Sequence, residues 1–251
     1  RGYSVEWRVV NAADYGAPQR RRRVYIFAQK DAPAWNVEER VRETGVLAQA
    51  LPISSTVTKA NAFAIKGEPF EISENFGKGL KASPFRGAGA MQNGEVFTAE
   101  VTPSYGGPFA TLGDVLVPEA EVPEAFFIDE DKLGRWEYFK GAKKEERTHS
   151  SGYTYLYSEG GMAFPDALDK PSRTILTGEG GAGASRTKHV VKTESGRYRR
   201  LVPDELDQLQ TFPKGWTDAG MTDGNRAFCM GNALVVSVVH RIGKEIAKRA
   251  E

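Results

Sequence analysis

Apolar and polar positions alternate from Tyr3 to Val10, with Tyr3, Val5, Trp7 and Val9 at one parity and Ser4, Glu6 and Arg8 at the other. A period of two predicts a half-buried strand. Turn formers follow in residues 11–19, where Asp14, Gly16 and Pro18 cluster, and after four arginines the apolar run 24–28 predicts a buried strand. Between residues 30 and 170 the pattern weakens into short β-like pieces rich in Gly and Pro. One helix is predicted there, over residues 131–140, from the helical spacing of Leu133, Trp136 and Phe139.

Order returns near Pro171. Residues 173–177 are strand-like, and the glycine-rich stretch 178–185 leads into Arg186, Lys188 and His189. A turn is expected at Ser195 and Gly196. Pro203 then suits the first position of a helix, with Asp204 and Glu205 at the positive end of its dipole and Leu206 and Leu209 buried. That helix stops before Phe212 and Pro213. From Asn232 to Arg249 a second amphipathic helix is predicted, with Leu234, Val235, Val238, Val239, Ile242 and Ile246 on one side and Arg241, Lys244, Glu245 and Lys248 opposite.

With 251 residues the chain can hold one large domain or two small ones. Its 34 basic and 33 acidic side chains nearly cancel, so a nucleic-acid footprint has to be local. A single cysteine, Cys229, excludes an internal disulfide framework, and with three scattered histidines it excludes the usual zinc spacings, so no metal site is expected. Cysteine usage fits a reducing cytosol. No run of apolar residues is long enough for a membrane span. The chain opens on Arg1 and runs straight into a strand pattern, which reads as part of a longer polypeptide.

The densest chemical signal is Gln19, Arg20, Arg21, Arg22 and Arg23, between a turn and a strand. An arginine run is often only a solvated face. Here Arg21 and Arg23 share the parity of Tyr25 and Phe27 and can project from one side at the strand's start. Guanidinium forks so placed suit a phosphate and a base carbonyl.

Gly2, Tyr3, Asn11, Ala12, Tyr15, Gly16, Pro18, Gln19, Arg21 and Arg23 resemble motif VIII of the DNA cytosine-5 methyltransferases. Arg200, Leu201, Pro203, Glu205, Leu209, Gln210, Phe212, Pro213 and Trp216 resemble motif IX, and Arg226 with Gly231, Asn232 and Ala233 resembles motif X. The three stand in the family's order.

The resemblance implies an α/β fold: the C-terminal piece of an S-adenosylmethionine-dependent methyltransferase plus a mixed, loop-rich target-recognition domain. Residues 1–30 would be the last strands of the catalytic domain, 31–216 the recognition domain including motif IX, and 217–251 the motif X helix returning to the catalytic domain. In such enzymes a cysteine thiolate attacks C6 of a flipped cytosine and C5 takes the methyl group. Arg23 matches the arginine at the base's O2, Arg21 its partner at a flanking phosphate, and Gln19 completes the catalytic set.

Gly231, Asn232 and Ala233 match the cofactor contact, at an expected helix start with free N–H groups. Arg173 and Thr174 stand at the family's threonine-leucine dipeptide, with Ile175 in the leucine's place. The loop after it, with Gly178, Glu179, Gly180, Gly181, Arg186 and Lys188, is the expected reader of base edges. The implied partners are double-stranded DNA and a separate N-terminal catalytic domain or subunit, in the cytoplasm of a bacterium and in a restriction-modification setting. The long recognition stretch favours DNA over transfer RNA.

Phe85, Gly87 and Gly89 imitate the family's cofactor loop, but no buried strand precedes them and they follow motif VIII. Cys229 lacks the Pro-Cys context of the nucleophile and is expected to be a small packed residue. Lys140, Lys143, Lys144 and Arg147 are either a soluble face or a DNA contact. Two function classes remain, an enzyme component and a non-catalytic DNA-binding module. The arginine motif and motif X favour the first.

Overall fold

A computed structural model describes residues 2–250. In chain order its strands are β1 (Tyr3–Asn11), β2 (Arg22–Lys30), β3 (Ile53–Ala64), β4 (Ala88–Gln92), β5 (Glu95–Pro103), β6 (Lys143–Thr148), β7 (Thr154–Glu159), β8 (Val190–Lys192) and β9 (Tyr198–Arg200). The α-helices are α1 (Val37–Glu39), α2 (Val46–Ala50), α3 (Pro69–Asn75), α4 (Glu130–Lys140), α5 (Pro203–Leu209), α6 (Asp223–Asn232) and α7 (Val236–Ala247). The fold is mixed α/β. Two compact units divide it, one formed by residues 2–16, Arg21–Phe109 and 236–250, the other by Ala17–Arg20 and Ala110–Val235. This division differs from the one at residues 30 and 216 read from the sequence.

The first unit is built on a five-stranded antiparallel sheet in the order β2-β1-β4-β5-β3. The segment expected to be irregular therefore supplies three strands to the sheet that β1 and β2 begin. Irregular patterning hid β3 in particular: half of it is Ser, Thr, Lys and Asn, and its pairing with β5 slips twice. A small core of Val41, Ala88, Ala90, Phe97 and Ala99 lies on the sheet. Gly87 and Gly89 sit in and beside β4, where a Cβ on Gly89 would fall 2.0 Å from the Trp7 ring. They serve close strand packing.

Burial on β1 runs opposite to hydrophobicity. Ser4, Glu6 and Arg8 are 3%, 2% and 2% exposed, whereas Val5, Trp7 and Val9 are only half-buried. The cause is α2. The Glu6 carboxylate accepts the N–H groups of Val46 (3.2 Å) and Leu47 (3.1 Å) at its start and pairs with Arg40. Arg8 donates from Nη1 to the carbonyls of Leu47 (3.1 Å) and Leu51 (2.7 Å) and from Nη2 to that of Val41 (2.8 Å).

Free N–H groups at a helix start and free carbonyls at its end need partners, and a negative charge at the first end and a positive one at the second match the helix dipole. Adjacent same-side residues of one strand thus hold both ends of one helix. Gly45 is required between them, because a Cβ there would lie 2.2 Å from the Arg40 carbonyl and 2.5 Å from Glu6 Oε2.

The run 24–28 is a strand but is not buried. Val24 is 56% and Ile26 66% exposed, because β2 is an edge strand with β1 as its one neighbour. The final helix α7 packs on α2 through the buried Val238 and leaves Val239 and Ile246 exposed.

The second unit packs Leu112, Val115, Ile175, Val191, Leu201, Leu206, Leu209, Ala227 and Met230 into one core. α4 forms over Glu130–Lys140 with Trp136 buried, as its spacing predicts, and α5 starts at Pro203 and buries Leu206 and Leu209. The turn at Ser195 and Gly196 closes the β8–β9 hairpin, with Gly196 at φ 91. Residues 173–176 join no strand and Thr177 lies in a turn; the pairing there is a single bridge between Gln19 and Ser172.

Asn232 ends α6 instead of starting a helix, and α7 begins at Val236. Near that end Gly231 lies so close to the 176–177 backbone that a Cβ would stand 2.3 Å from Thr177 N. Cys229, expected to be packed, is exposed on α6.

Glu6→Ala should destabilise the first unit by about 3–5 kcal/mol, the scale for removing one partner of a buried ion pair. A fall in the urea midpoint with an unchanged m-value checks this. A midpoint within experimental error of wild type would show that α2 does not depend on Glu6.

Candidate nucleic-acid interface

Arg21 and Arg23 lie at the start of β2 on the parity of Tyr25 and Phe27, as the sequence predicts. Arg23 is opposite Val10 and exposed, and its Nη1 donates to the Arg22 carbonyl at 2.7 Å. Arg21 is 3% exposed, and its own carbonyl accepts the Ala12 N–H at 3.0 Å. Burial, and then the like charge of Arg23, push the Arg21 guanidinium down to about 10. Burial raises the nearby Tyr25 hydroxyl while both arginines pull it back. Two cations on one side of one edge strand create a positive spot whose relief is an anion.

Gln19, in the second unit, is fully buried. Its Nε2 donates to the Leu209 carbonyl (3.1 Å) and its Oε1 accepts the Ile175 N–H (2.8 Å). The Arg20 N–H bonds the Ser172 carbonyl at 2.9 Å, and the Thr174 hydroxyl donates to the Arg20 carbonyl. The side chain therefore ties the Thr-Ile segment to the end of α5.

The loop 178–189 is held from within. Arg173 grips Asp166 through Nε (2.8 Å) and Nη2 (3.2 Å) and donates to the carbonyls of Thr187 (3.1 Å) and Lys188 (3.2 Å). Against the upward push of burial, Arg173 and the other neighbours hold the Asp166 carboxyl below its usual range. Lys188 is 7% exposed, and its Nζ donates to the Gly181 (2.9 Å) and Gly183 (2.8 Å) carbonyls across the loop. Glu179 accepts the His189 N–H (2.9 Å) and pairs with His189 Nδ1 (2.8 Å). Arg186 Nε meets Glu159 at 2.9 Å, and its other nitrogens donate to the carbonyls of Phe139, Gly141 and Gly160.

Arg186 and Lys188, expected at base edges, thus hold main chain in this structure, and what the loop exposes is Gly178, Gly181, Ala182 and Gly183. Gly180 packs on Gly224, where a Cβ would lie 2.9 Å from its Cα.

Lys140 is 1% exposed and donates to the Lys188 carbonyl, so it belongs neither to a soluble face nor to a DNA contact. Burial, and then the Arg173 charge, push its ammonium from 10.5 to about 8. Asp166 escaped sequence reading, and Glu179 and Lys140 were read there without their partners, because an isolated charged residue carries no sign of which distant carbonyl or cation it meets.

Motif IX carries structure. Glu205 is fully buried, pairs twice with Arg199 (2.9 and 2.7 Å) and accepts the N–H groups of Val202 (2.9 Å) and Val117 (3.0 Å). Arg226 of motif X reaches Asp204 (2.6 Å), Asp207 (3.3 Å) and the Thr217 hydroxyl (2.9 Å), which locks α6 to α5.

The helix-start reading of Gly231, Asn232 and Ala233 does not hold: the Ala233 N–H bonds the Cys229 carbonyl at 3.0 Å, Gly231 is buried, and only Asn232 exposes a polar side chain. Among the described residues no helix is long and apolar enough to cross a membrane.

Comparison with known proteins identifies the class. The chain belongs to the C-5 cytosine-specific DNA methylase family, which it matches over residues 1–248. It is 40% identical over 256 residues to the Type II methyltransferase M.Sau3AI of Staphylococcus aureus, covering 98% of this chain and 59% of that protein. The chain thus spans about three-fifths of that relative's length.

The solved methyltransferase EhMeth of Entamoeba histolytica superposes with a TM-score of 0.51 at 11% identity over 100% of this chain and 55% of its own. The S. pombe Dnmt2 methyltransferase gives 0.51 at 13% identity over 99% of this chain and 58% of its own. Both share the fold.

The unfolded chain binds more protons at Lys140 than the folded one between pH 8 and 10.5, so this group costs stability below about pH 8 and the cost fades as pH rises through that window. Lys140→Met should remove that gain. Thermal midpoints of wild type and variant, measured on both sides of the window, should converge with rising pH. Parallel curves would show that Lys140 is an ordinary exposed lysine.

Proposed function

We propose that this chain is the C-terminal, target-recognition part of a DNA cytosine-5 methyltransferase of a bacterial restriction-modification system, acting in the cytoplasm on double-stranded DNA. The observation that carries the reading is the pair Arg21 and Arg23 on one side of the β2 edge. Arg23, exposed and without a carboxylate among its contacts, is suited to hold O2 of a flipped cytosine, where negative charge grows as the adduct forms. Arg21, buried beside it, is suited to a backbone phosphate. Gln19 sets where the Thr-Ile segment, and so the loop 178–189, stands. That loop presents peptide groups and small residues to the groove.

In this reading the first unit's sheet edge continues into a catalytic domain outside residues 1–251, and the second unit is the recognition domain. The exposed Val24 and Ile26 on β2 and Val239 and Ile246 on α7 are apolar surfaces that such a domain would cover. S-adenosylmethionine, bound there, would supply the methyl group. Of this chain's motif X residues, Asn232 alone is free to touch it.

Arg23→Ala in the complete enzyme should lower turnover on the order of a hundredfold with a much smaller change in KM for DNA, since a contact strengthened in the reacting complex shows in kcat. Unchanged turnover with weaker, less salt-dependent binding would make Arg23 a phosphate contact only.

Tritium transfer from S-adenosylmethionine to DNA should be absent with this chain alone and present when the catalytic part is added. It should be lost again when that part's Pro-Cys cysteine is changed to serine. Transfer by the chain alone that disappears in Cys229→Ser would overturn the assignment.

A further inference from the structure

The β6–β7 hairpin is the second unit's most exposed element. Every residue from Glu146 to Leu156 is exposed. Its pairing sets Glu145 opposite Tyr157 and Arg147 opposite Tyr155, and the turn closes with the His149 N–H on the Tyr153 carbonyl at 2.7 Å. Alternation therefore lines one side of the ribbon, from base to tip, with Glu145 and Tyr157, then Arg147 and Tyr155, then His149 and Tyr153, and Arg147 Nη2 pairs with Glu145 at 3.3 Å. The Arg147 guanidinium lies 3.6 Å from the Tyr157 ring centre, and Tyr153 and Tyr155 are stacked with centroids 6.3 Å apart.

Charge is segregated along its length. Residues 147–158 contain no carboxylate, whereas the base holds Glu145, Glu146 and Glu159. Beyond the Glu145–Arg147 pair, the tip of His149, Ser150, Ser151, Tyr153, Thr154 and Tyr155 offers donors and rings and carries no carboxylate of its own. The base is fastened by the loop expected to read DNA: Arg186 binds the Gly141 carbonyl before β6, and Glu159 and the Gly160 carbonyl at and after the end of β7. Lys143 closes the last rung on Glu159 at 3.3 Å.

From these observations, and resting on the reading of the chain as a DNA methyltransferase component, we infer that the β6–β7 ribbon enters a groove of the DNA. Tyr153, Tyr155 and Arg147 bind phosphate and base edges there, and Arg186 is the residue that aims it. A two-stranded ribbon fits the major groove, about 12 Å wide, and six residues per strand reach roughly 20 Å. The segment adds a second recognition element beside the loop 178–189 and explains why the basic residue of that loop faces the ribbon's base.

The test uses the complete enzyme. A random-sequence duplex library and bisulfite sequencing define its methylated site, and kinetics follow on a duplex carrying that site. The double variant Tyr153→Ala/Tyr155→Ala, and separately Arg147→Ala, should each raise KM for DNA about tenfold, the scale of one lost base contact. KM for S-adenosylmethionine and the thermal midpoint should not change. Arg147→Ala should also reduce the salt slope of DNA binding by about one.

Wild-type KM for DNA and wild-type site preference in both variants overturn the inference. They leave the reading of the chain standing if Arg23→Ala still lowers turnover. A complete wild-type enzyme that methylates no DNA overturns the reading itself. Unchanged DNA kinetics with an altered mass by light scattering assign the ribbon to a protein contact and overturn the inference.

Discussion

Glu6 and Arg8 hold the two ends of α2, and the first unit depends on that hold. A five-residue helix has one turn of its own hydrogen bonds and leaves most of its N–H and carbonyl groups without internal partners. A strand that sends a carboxylate to one end and a guanidinium to the other supplies those partners and buries both charges without a lone pair of ions in the core. With α2 fixed, α7 has a surface to pack on. Burial lowers the Arg8 guanidinium, and neighbouring Tyr15 and Glu6 oppose the drop, as expected for a cation retained inside because it is bonded.

The second unit uses the same principle. Its buried charges are bonded to main chain or to each other: Arg173 to Asp166, Lys188 to two loop carbonyls, Glu205 to Arg199, and Arg226 to Asp204 and Asp207. A glycine-rich loop has little side chain with which to hold its shape, so ordered carbonyls need donors from elsewhere. Lys188 and Arg186 provide them. The cationic residues of the loop thus set its conformation and leave peptide groups and small side chains on its exposed surface.

Gln19 shows how one buried side chain can fix distant main chain. One amide, buried between two backbone segments far apart in sequence, satisfies a donor and an acceptor at once. No smaller or charged side chain does both. The arginines two and four residues later stand in the other unit, so the single motif Gln-x-Arg-x-Arg contributes to both.

Local patterns along the chain determined much of this protein. The strands at residues 3–11 and 22–30, the helices starting near Glu130 and at Pro203, the turn at Gly196 and the parity of Arg21 with Arg23 follow from alternation, helical spacing and capping chemistry, which act over a few residues. Motifs VIII, IX and X lie at the ends, where the family resemblance was legible. Tertiary structure decided what those patterns do not encode. β1 turned its polar side inward because α2 needed charges at its ends. Val24 and Ile26 stayed exposed because an edge strand has one neighbour. Gly231 met the backbone of Leu176 and Thr177. Arg186 and Lys188 turned to carbonyls. Each outcome rests on a partner tens of residues away or on a neighbouring strand, and the energy of a buried polar group depends on that partner more than on its own sequence context.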